Sequence, residues 1–291
     1  MSDFILAEQA DTAIPPTSGC IETTVVDLTR TDSAHDLENS LWLLDLQLPA
    51  SFCEGKGWQP GQFVMIRPVS WSFEPLWARP FSICMAGNGI LRIFFQVVGR
   101  GTRAMTKLEP GEQVVVWGPL GNAFSVEPDT PTLLLAGGIG LAPFIGYAWS
   151  HPQPDLLFLL LGHRPSVSGY PLHLLPESIA RETARQKCEE DIACFVRDLE
   201  SRIAEYARIN GLILACGPHP FLRAVQTMAM QYRARAQLSL ENRMACGIGA
   251  CLGCVTNIAG QELPVKVCTQ GPIFRAEDVK LEQAVIDRVK A

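Results

Sequence analysis

TLLLAGGIGLAPFIGYAWS, residues 132–150, decides the fold class of this chain. Residues 133–136 form a continuous apolar run of the length of a buried strand. Gly137, Gly138 and Gly140 follow at once, and an apolar helical pattern then runs through Trp149. A glycine turn between a buried strand and a helix lets the phosphates of a nucleotide approach the backbone, although plain α/β packing uses the same turn.

The alternation of buried strands with helices continues to residue 236. Buried strands are expected at 156–161 and 212–215, a polar helical stretch at 177–206 and a helix at 221–234. A second turn, Cys216-Gly217-Pro218, follows the strand at 212–215. Two such turns at the carboxyl ends of strands predict one shared crevice in a doubly wound α/β nucleotide domain, residues 129–236.

Residues 21–128 have a different pattern, after a tail at 1–20. Short apolar runs at 42–48, 62–66, 91–98 and 113–117 are separated by turn residues, with one helix expected at 102–107. This spacing favours an antiparallel β-barrel or sandwich.

The last part of the chain, 237–291, contains the most specific motif. Four of the ten cysteines, Cys246, Cys251, Cys254 and Cys268, have the spacing C-x4-C-x2-C-x13-C. Four thiolates around two irons suit a [2Fe–2S] cluster, and C-x4-C-x2-C is the plant-type ferredoxin spacing. A zinc site is the alternative, but zinc modules usually pair their ligands in two tight turns. A helix is expected from Ala276 onward.

Arg79-Pro80-Phe81-Ser82 forms a third motif, together with the later Gly101-Thr102. An arginine and a hydroxyl near a strand end, with a Gly-Thr turn opening a helix, can hold a pyrophosphate. Taken alone, the motif fits a surface arginine beside a turn better than a phosphate site.

Composition excludes other classes. Lys and Arg number 24 against 30 Asp and Glu, a net charge of −6 that disfavours nucleic-acid binding. Residues 130–154 contain no Asp, Glu, Lys or Arg, but their glycines and prolines would break a membrane-spanning helix. The first 29 residues contain no Lys or Arg, so no signal peptide is expected and we predict a reducing, cytoplasmic setting.

The motifs in this order resemble the ferredoxin–NADP reductase superfamily: Arg-Pro-Phe-Ser, Gly-Arg-Gly-Thr, Gly-Pro-Leu-Gly at 118–121, Ala-Gly-Gly-Ile-Gly-Leu-Ala-Pro at 136–143 and Cys-Gly-Pro. The cysteine motif, preceded by Glu241-Asn-Arg-Met-Ala and ending in Val-Cys-Thr-Gln-Gly-Pro-Ile-Phe at 267–274, resembles the electron-transfer subunits of class 1B dihydroorotate dehydrogenases. The resemblance covers residues 20–280. The N-terminal extension and the charged residues 181–190 go beyond the compact pattern of that family.

The resemblance implies an electron-transfer flavoprotein with FAD in the barrel, a nicotinamide nucleotide in the α/β domain and a [2Fe–2S] domain at the C-terminus. It implies a heterotetramer with two copies of an FMN-bearing subunit, which oxidises dihydroorotate in pyrimidine biosynthesis, and NAD⁺ as the acceptor. Carried over by motif, Arg79, Pro80, Phe81 and Ser82 hold the flavin with Gln96, Val97 and Val98 beside it. Gly101 and Thr102 hold its pyrophosphate, the nucleotide crevice comprises Gly137, Gly138, Gly140, Cys216, Gly217 and Pro218, and the four cysteines bind the cluster.

Several residues and the partner have more than one interpretation. Cys216 either contacts the nicotinamide or is a small buried hydrophobe. Glu241 is expected to be a solvated side chain, and the isolated histidines give no acid–base constellation. The partner could instead belong to a sulfide dehydrogenase, a hydrogenase or a ferredoxin:NADP oxidoreductase. A zinc-stapled binding module on a degenerate reductase fold is the rival from another class.

Overall fold

The structure, a computed structural model, describes residues 20–49, 52 and 57–281. Their strands form sheets of seven, six and three strands. Most of the expected N-terminal tail, together with Cys53, lies outside the described residues.

The first sheet is antiparallel and curled. Its strands are β1 (Ile21–Arg30), β2 (Leu41–Gln47), β3 (Phe63–Pro68), β4 (Arg79–Ser82), β5 (Met85–Gly87), β6 (Ile90–Gln96) and β7 (Gln113–Leu120), in the order β4-β3-β7-β1-β2-β6-β5. The helix α1 (Arg100–Met105) joins β6 to β7. The curl brings the rings of Phe81 on β4 and Phe95 on β6 to 5.7 Å between centroids, so β4 lies close to β6 without pairing with it.

The second sheet is parallel except at one edge. It contains β8 (Thr132–Gly137), β9 (Leu157–His163), β10 (Ala180–Arg185), β11 (Leu212–Cys216) and β12 (Arg235–Ser239) in the order β10-β9-β8-β11-β12. A strand from the C-terminal part of the chain, β15 (Ile273–Arg275), pairs with β12 in the antiparallel sense. The connecting helices are α2 (Ala142–Ser150), α3 (Glu189–Arg208) and α4 (His219–Tyr232).

Alternate residues of β8 point to opposite faces of this sheet. Leu133 and Leu135 pack with residues of α3 and α4, whereas Leu134 and Ala136 pack with residues of α2. Both faces are therefore covered by helices, which is why the strand is apolar throughout. The α2 face also meets the end of the first sheet, where Phe144 stacks on Phe124 with ring centroids 5.5 Å apart.

The C-terminal residues add a small sheet in the order β14-β13-β16. It consists of β13 (Val255–Ile258), β14 (Val265–Lys266) and β16 (Val279–Lys280), with the one-turn helix α5 (Val267–Gln270) after β14.

Three expectations about elements are wrong. Residues 177–206 are not one helix, because β10 occupies 180–185 and α3 begins at Glu189. Five of the six residues of β10 are exposed, so this edge strand lacks the apolar pattern that would have revealed it. The residues from Ala276 form a turn and then β16 rather than a helix, and any continuation beyond 281 lies outside the described residues. The expected helix at 221–234 ends at Tyr232, and the sequence did not reveal β12, which follows it.

In the part of the chain that the structure describes, none of the helices combines the length and the apolar character needed to cross a bilayer.

Candidate functional site

A groove of about 420 Å³ lies where the curled sheet, the turn after β8 and the residues before the first clustered cysteine meet. Its lining comes from several separate parts of the chain. They comprise Phe63; Arg79, Pro80, Phe81 and Ser82; Phe94, Phe95, Gln96, Val98 and Thr102; Ile139 and Ala142; and residues 239–244 with Pro272. The structure thus brings the Arg-Pro-Phe-Ser motif into one cavity with Gln96 and Val98, two of the three residues expected beside it.

The guanidinium of Arg79 lies against the first turn of α1. It donates to the carbonyl oxygens of Trp77 at 2.6 Å and Ala78 at 3.2 Å. A Cβ atom on Gly101 would overlap the Arg79 guanidinium, so a larger residue in the first turn of α1 would displace it. Partial burial lowers the pKa of Arg79, with a smaller contribution from the neighbouring charge of Arg100. An arginine stays charged even so, and this cation faces the groove.

Thr102 shapes the turn before α1. Its hydroxyl accepts from the backbone N–H groups of Val98 at 3.0 Å and Gly99 at 3.3 Å, and donates to the Gly99 carbonyl at 3.1 Å. Val98 is 72 % exposed and lines the groove, but the side chain of Val97 is fully buried in the core of the first sheet. Thr102 therefore holds the turn with its hydroxyl, and Val97 can present only backbone to a ligand.

The two glycine turns of the α/β part touch each other. A Cβ atom on Gly140 would overlap the carbonyl of Cys216, and one on Gly137 would lie 2.9 Å from Pro218 Cδ. A Cβ atom on Gly217 would lie 2.9 Å from the Gly137 Cα atom. The residues expected to form one crevice are thus in direct backbone contact, and Ile139 and Ala142 extend from the first turn into the groove.

Cys216 itself is buried behind the contact between the two glycine turns. Its side chain is 2 % exposed, and burial raises the pKa of its thiol, with a smaller effect of the Glu241 carboxylate in the same direction. A thiol with this pKa stays protonated and is not a nucleophile. The structure places Cys216 at the crevice as a small packing residue.

Residues 239–244 form a wall that the sequence did not reveal. Glu241, expected to be a solvated side chain, lines the groove. Its side chain is exposed at the groove, as expected of a solvated carboxylate, and partial desolvation by the surrounding protein raises its pKa. Its place directly before the cysteine motif was the one available signal.

The four predicted ligands form two pairs. The sulfur atoms of Cys246 and Cys251 are 3.4 Å apart, and the Cys251 N–H donates to Cys246 Sγ over 3.4 Å. The Cys268 N–H likewise donates to Cys254 Sγ over 3.4 Å. Cys254 and Cys268 are buried, Cys246 is half-buried and Cys251 is exposed.

Backbone geometry brings this loop against the first sheet. Gly247 and Gly249 have φ of +73° and +79°, values that favour glycine. A Cβ atom on Gly247 would lie 2.6 Å from Met65 Cγ on β3, and Trp117 on β7 donates to the Cys246 carbonyl at 3.0 Å. The cysteine loop therefore packs directly on the first sheet, whose strand β3 also contributes Phe63 to the groove.

The two ends of the centre differ electrostatically. N–H groups of Gly253 and Cys246 directed at Cys251 lower the pKa of its thiol to about 7. Burial raises the pKa of Cys268 to about 12, and the neighbouring Cys254 contributes in the same direction. Binding iron requires the thiolate form of all four. Among the described residues no three or more of these side chains close around a single metal position, and thiols grouped in two pairs match the chemistry of a cluster of two irons, each held by two thiolates.

Solved structures identify the class of the fold. The NADH-dependent reduced ferredoxin-NADP oxidoreductase is 21% identical, covers 94% of this chain and 95% of its own and superposes with a TM-score of 0.73. A point mutant of the ferredoxin-NADP⁺ reductase from Plasmodium falciparum is 14% identical, with 73% and 91% covered and a TM-score of 0.59. The chain has a ferredoxin–NADP reductase-like fold with an added cysteine-rich C-terminal part.

Residues 241–280 match the family model of the iron-sulfur cluster binding domain of dihydroorotate dehydrogenase B. The dihydroorotate dehydrogenase B (NAD(+)) electron transfer subunit of Geobacillus kaustophilus is 36% identical over 232 residues, which cover 77% of this chain and 87% of the relative. That of Listeria monocytogenes is 34% identical over 234 residues, 77% of this chain and 89% of the relative. This chain belongs to the family of dihydroorotate dehydrogenase B electron transfer subunits.

The resemblance read from the motifs is thereby confirmed. The chain is an oxidoreductase subunit, and its family and its reductase fold support an iron–sulfur cluster, FAD and NAD as its cofactors.

Proposed function

We propose that this chain passes electrons from a dihydroorotate-oxidising partner, by way of [2Fe–2S] and FAD, to NAD⁺. One observation carries the proposal. Residues 239–244 form a wall of the groove, and Cys246 follows two residues later in the same stretch of chain. The two candidate cofactor sites are therefore joined by a few covalent bonds.

The flavin site is assigned to the groove. Arg79 supplies a cation for a pyrophosphate, and Gly101 leaves the space that its guanidinium occupies. Phe81 and Phe95 supply apolar ring surface in the same cavity. These groups bind and orient a flavin, and the surrounding protein excludes water from its inner face.

The crevice between the two glycine turns is assigned to the dinucleotide. Gly137, Gly140 and Gly217 let the two turns meet at the carboxyl ends of β8 and β11. Among the described residues, a Cβ atom on Gly138 would have only the Tyr170 hydroxyl within 4 Å, so the backbone there is open to phosphates. Ile139 connects this crevice to the groove, so a nicotinamide ring lying there would face the flavin.

A bound flavin exchanges two electrons with a nicotinamide and one at a time with an iron–sulfur cluster. The chain positions the cluster: it holds the irons beside the first sheet through the thiolates of Cys246, Cys251, Cys254 and Cys268. Three units are proposed for these tasks, residues 21–128, 129–236 and 237–291, although β15 returns from the last to the sheet of the second.

The partner is proposed to be an FMN-bearing catalytic subunit, in a cytoplasmic assembly of two copies of each chain. The exposed Cys251 lies among apolar side chains that face outward, Ile248 at 60 % and Leu252 at 63 % exposure. A surface of this kind supports docking of a second protein at the cysteine centre.

The test is reconstitution with the dihydroorotate-oxidising subunit from the same genome. We expect the two chains to co-purify and dihydroorotate to drive NAD⁺ reduction, while the partner alone reduces only artificial acceptors. A chain that carries both cofactors and is reduced by NADH, yet neither binds that partner nor accepts its electrons, would assign the site to another oxidoreductase such as a ferredoxin:NADP oxidoreductase.

A further inference from the structure

A side chain of the first sheet holds the backbone of one cysteine of the centre. The half-buried indole of Trp117 on β7 donates from Nε1 to the carbonyl oxygen of Cys246 over 3.0 Å. The two residues are 129 positions apart in the chain, so this bond joins the first sheet to the cysteine centre. The assignment of cofactors to the groove and to the four cysteines does not use it.

The other pair of cysteines is held in a different way. The carbonyl of Cys254 accepts the N–H of Val267 at 2.8 Å, a bond between two backbone groups of the cysteine-rich part of the chain. At Cys246 the donor is a side chain from another sheet. The position of Cys246 therefore depends on how the cysteine loop packs on the first sheet, whereas that of Cys254 is set within its own part of the chain.

The strand register places Trp117 close to the groove. Met65 on β3 pairs with Trp117 on β7, and Phe63, two residues earlier on β3, pairs with Leu120. Alternate residues of a strand point to the same face of a sheet, and Phe63 and Met65 pack in the same apolar core. Because Phe63 lines the groove, Trp117 holds Cys246 on the part of the sheet that borders the groove.

Packing confines the residue that follows Cys246. A Cβ atom on Gly247 would lie 2.6 Å from Met65 Cγ and 3.1 Å from Leu120 Cδ1, so the backbone of Gly247 lies directly on β3 and β7. The contact at Gly247 limits how closely the loop approaches the sheet, and the hydrogen bond from Trp117 gives the preceding carbonyl a direction. The two together determine where the backbone of Cys246 lies.

Cys246 is also the cysteine of the centre that is nearest in sequence to the groove. Arg243 and Met244 line the groove, and Met244 packs with Trp117 against the same apolar core. A displacement of the Cys246 backbone would therefore change the separation between its sulfur and the groove. A misplacement of about 1 Å between reacting groups can lower a rate by about a hundredfold.

We propose that Trp117 is a positioning residue for electron transfer between the flavin and the cluster. The inference rests on the proposed function, because it takes the groove to hold the flavin and the cysteines to hold the cluster. With NADH as the donor, a hydride brings two electrons to the flavin; one passes to the cluster, and the flavin keeps the second until the cluster has been reoxidised. Trp117 gains and loses no electron, and its N–H keeps the Cys246 sulfur at a fixed distance from the groove.

The test uses Trp117→Phe in the holoprotein, a change that removes the N–H and keeps an aromatic ring. Stopped-flow absorbance with NADH separates reduction of the flavin from the later reduction of the cluster. We expect the first to keep its rate and the second to slow by about threefold to tenfold, because loss of one neutral hydrogen bond lowers the population of the held geometry by that factor. Iron, sulfide and flavin contents should equal those of the parent.

Electron paramagnetic resonance of the dithionite-reduced cluster gives a readout that does not depend on turnover. We expect broader signals in Trp117→Phe, because Cys246 then occupies more than one position. Trp58→Phe is the matched control: the indole of Trp58 is also half-buried and donates to the Ala86 carbonyl at 2.7 Å, but its ring lies against Gly146 on α2. This control should keep the rates and the spectrum of the parent.

Unchanged cluster reduction and an unchanged spectrum in Trp117→Phe would overturn the proposal, as would equal slowing in Trp58→Phe. If Trp117→Phe loses the cluster, replacement of Trp117 by benzothienylalanine, which keeps the shape of the indole and lacks the N–H, decides by the same two measurements. Loss of the cluster there as well would make Trp117 a structural residue and overturn the proposal. A parent protein whose flavin is not reduced by NADH, or whose cluster is never reduced by the flavin, would instead remove the proposed function.

Discussion

The cysteine centre takes its four ligands from residues 246–268, whereas the groove beside it takes its lining from stretches spread between residues 63 and 272. The first is a local structure whose spacing and glycines already define it. The second exists only after β4, β6, the turn after β8 and residues 239–244 have folded together. A single change should therefore remove the whole function of the cysteine centre but only weaken that of the groove.

The largest effect is expected from Cys251→Ala. Removing one of four thiolates should abolish the cluster, whereas flavin content and flavin reduction by NADH persist because the groove does not use Cys251. Iron and sulfide assays with an absorbance spectrum measure both. Cys194→Ala, another exposed free cysteine, should change neither, and loss of flavin together with the cluster would contradict separate sites.

Gly247→Ala should come next. Its φ of +73° and a Cβ atom 2.6 Å from Met65 Cγ impose backbone strain and a clash, together about 2–4 kcal/mol. We expect reduced iron content and a lower thermal midpoint. Gly260→Ala has a similar φ of +76° but nothing within 4 Å, and should cost about 1–2 kcal/mol. Equal losses in the two variants would show that contact with β3 does not hold the loop.

Arg79→Ala should weaken the binding of FAD in the groove and leave the iron–sulfur cluster in place. Loss of one charge-assisted contact to a pyrophosphate is worth about 1.5–3 kcal/mol, so FAD affinity should fall by about tenfold to a hundredfold. Fluorescence of the flavin released on dilution measures this. Arg197→Ala, an exposed arginine on α3, should retain flavin fully, and full retention in Arg79→Ala would remove Arg79 from the site.

Glu241→Gln should have the smallest effect, and one that depends on pH. Desolvation raises the pKa of this carboxyl in the folded chain. The folded chain therefore loses stability as the pH rises above the pKa that the carboxyl has in the unfolded chain, because the ionised form is disfavoured in the fold. The variant should gain stability relative to the parent on going from acid to neutral pH, by less than about 1 kcal/mol because the groove admits solvent. Thermal unfolding across that range measures the difference, and a constant difference would contradict the raised pKa.

The sequence predicted those parts of the molecule that are local in the chain. The strand at 133–136, its glycine turn and the cysteine spacing each specify structure within a few residues, and the antiparallel first sheet followed from its turn residues. The edge strand β10 was missed because its exposed, charged residues carry no apolar period. The contribution of residues 239–244 to the groove has no local signal, because only tertiary packing places them beside Arg79 and Phe81, whereas the solvated side chain expected of Glu241 is exposed in the structure.

The central claim is that one chain joins a flavin site to an iron–sulfur centre. An anaerobic absorbance spectrum of the purified chain, with iron, sulfide, zinc and flavin assays on the same sample, tests it most directly. We expect one FAD and one [2Fe–2S] per chain, with both sets of bands bleached by NADH. A colourless protein that contains zinc in place of iron, and that cannot be reconstituted with flavin or iron, would contradict it.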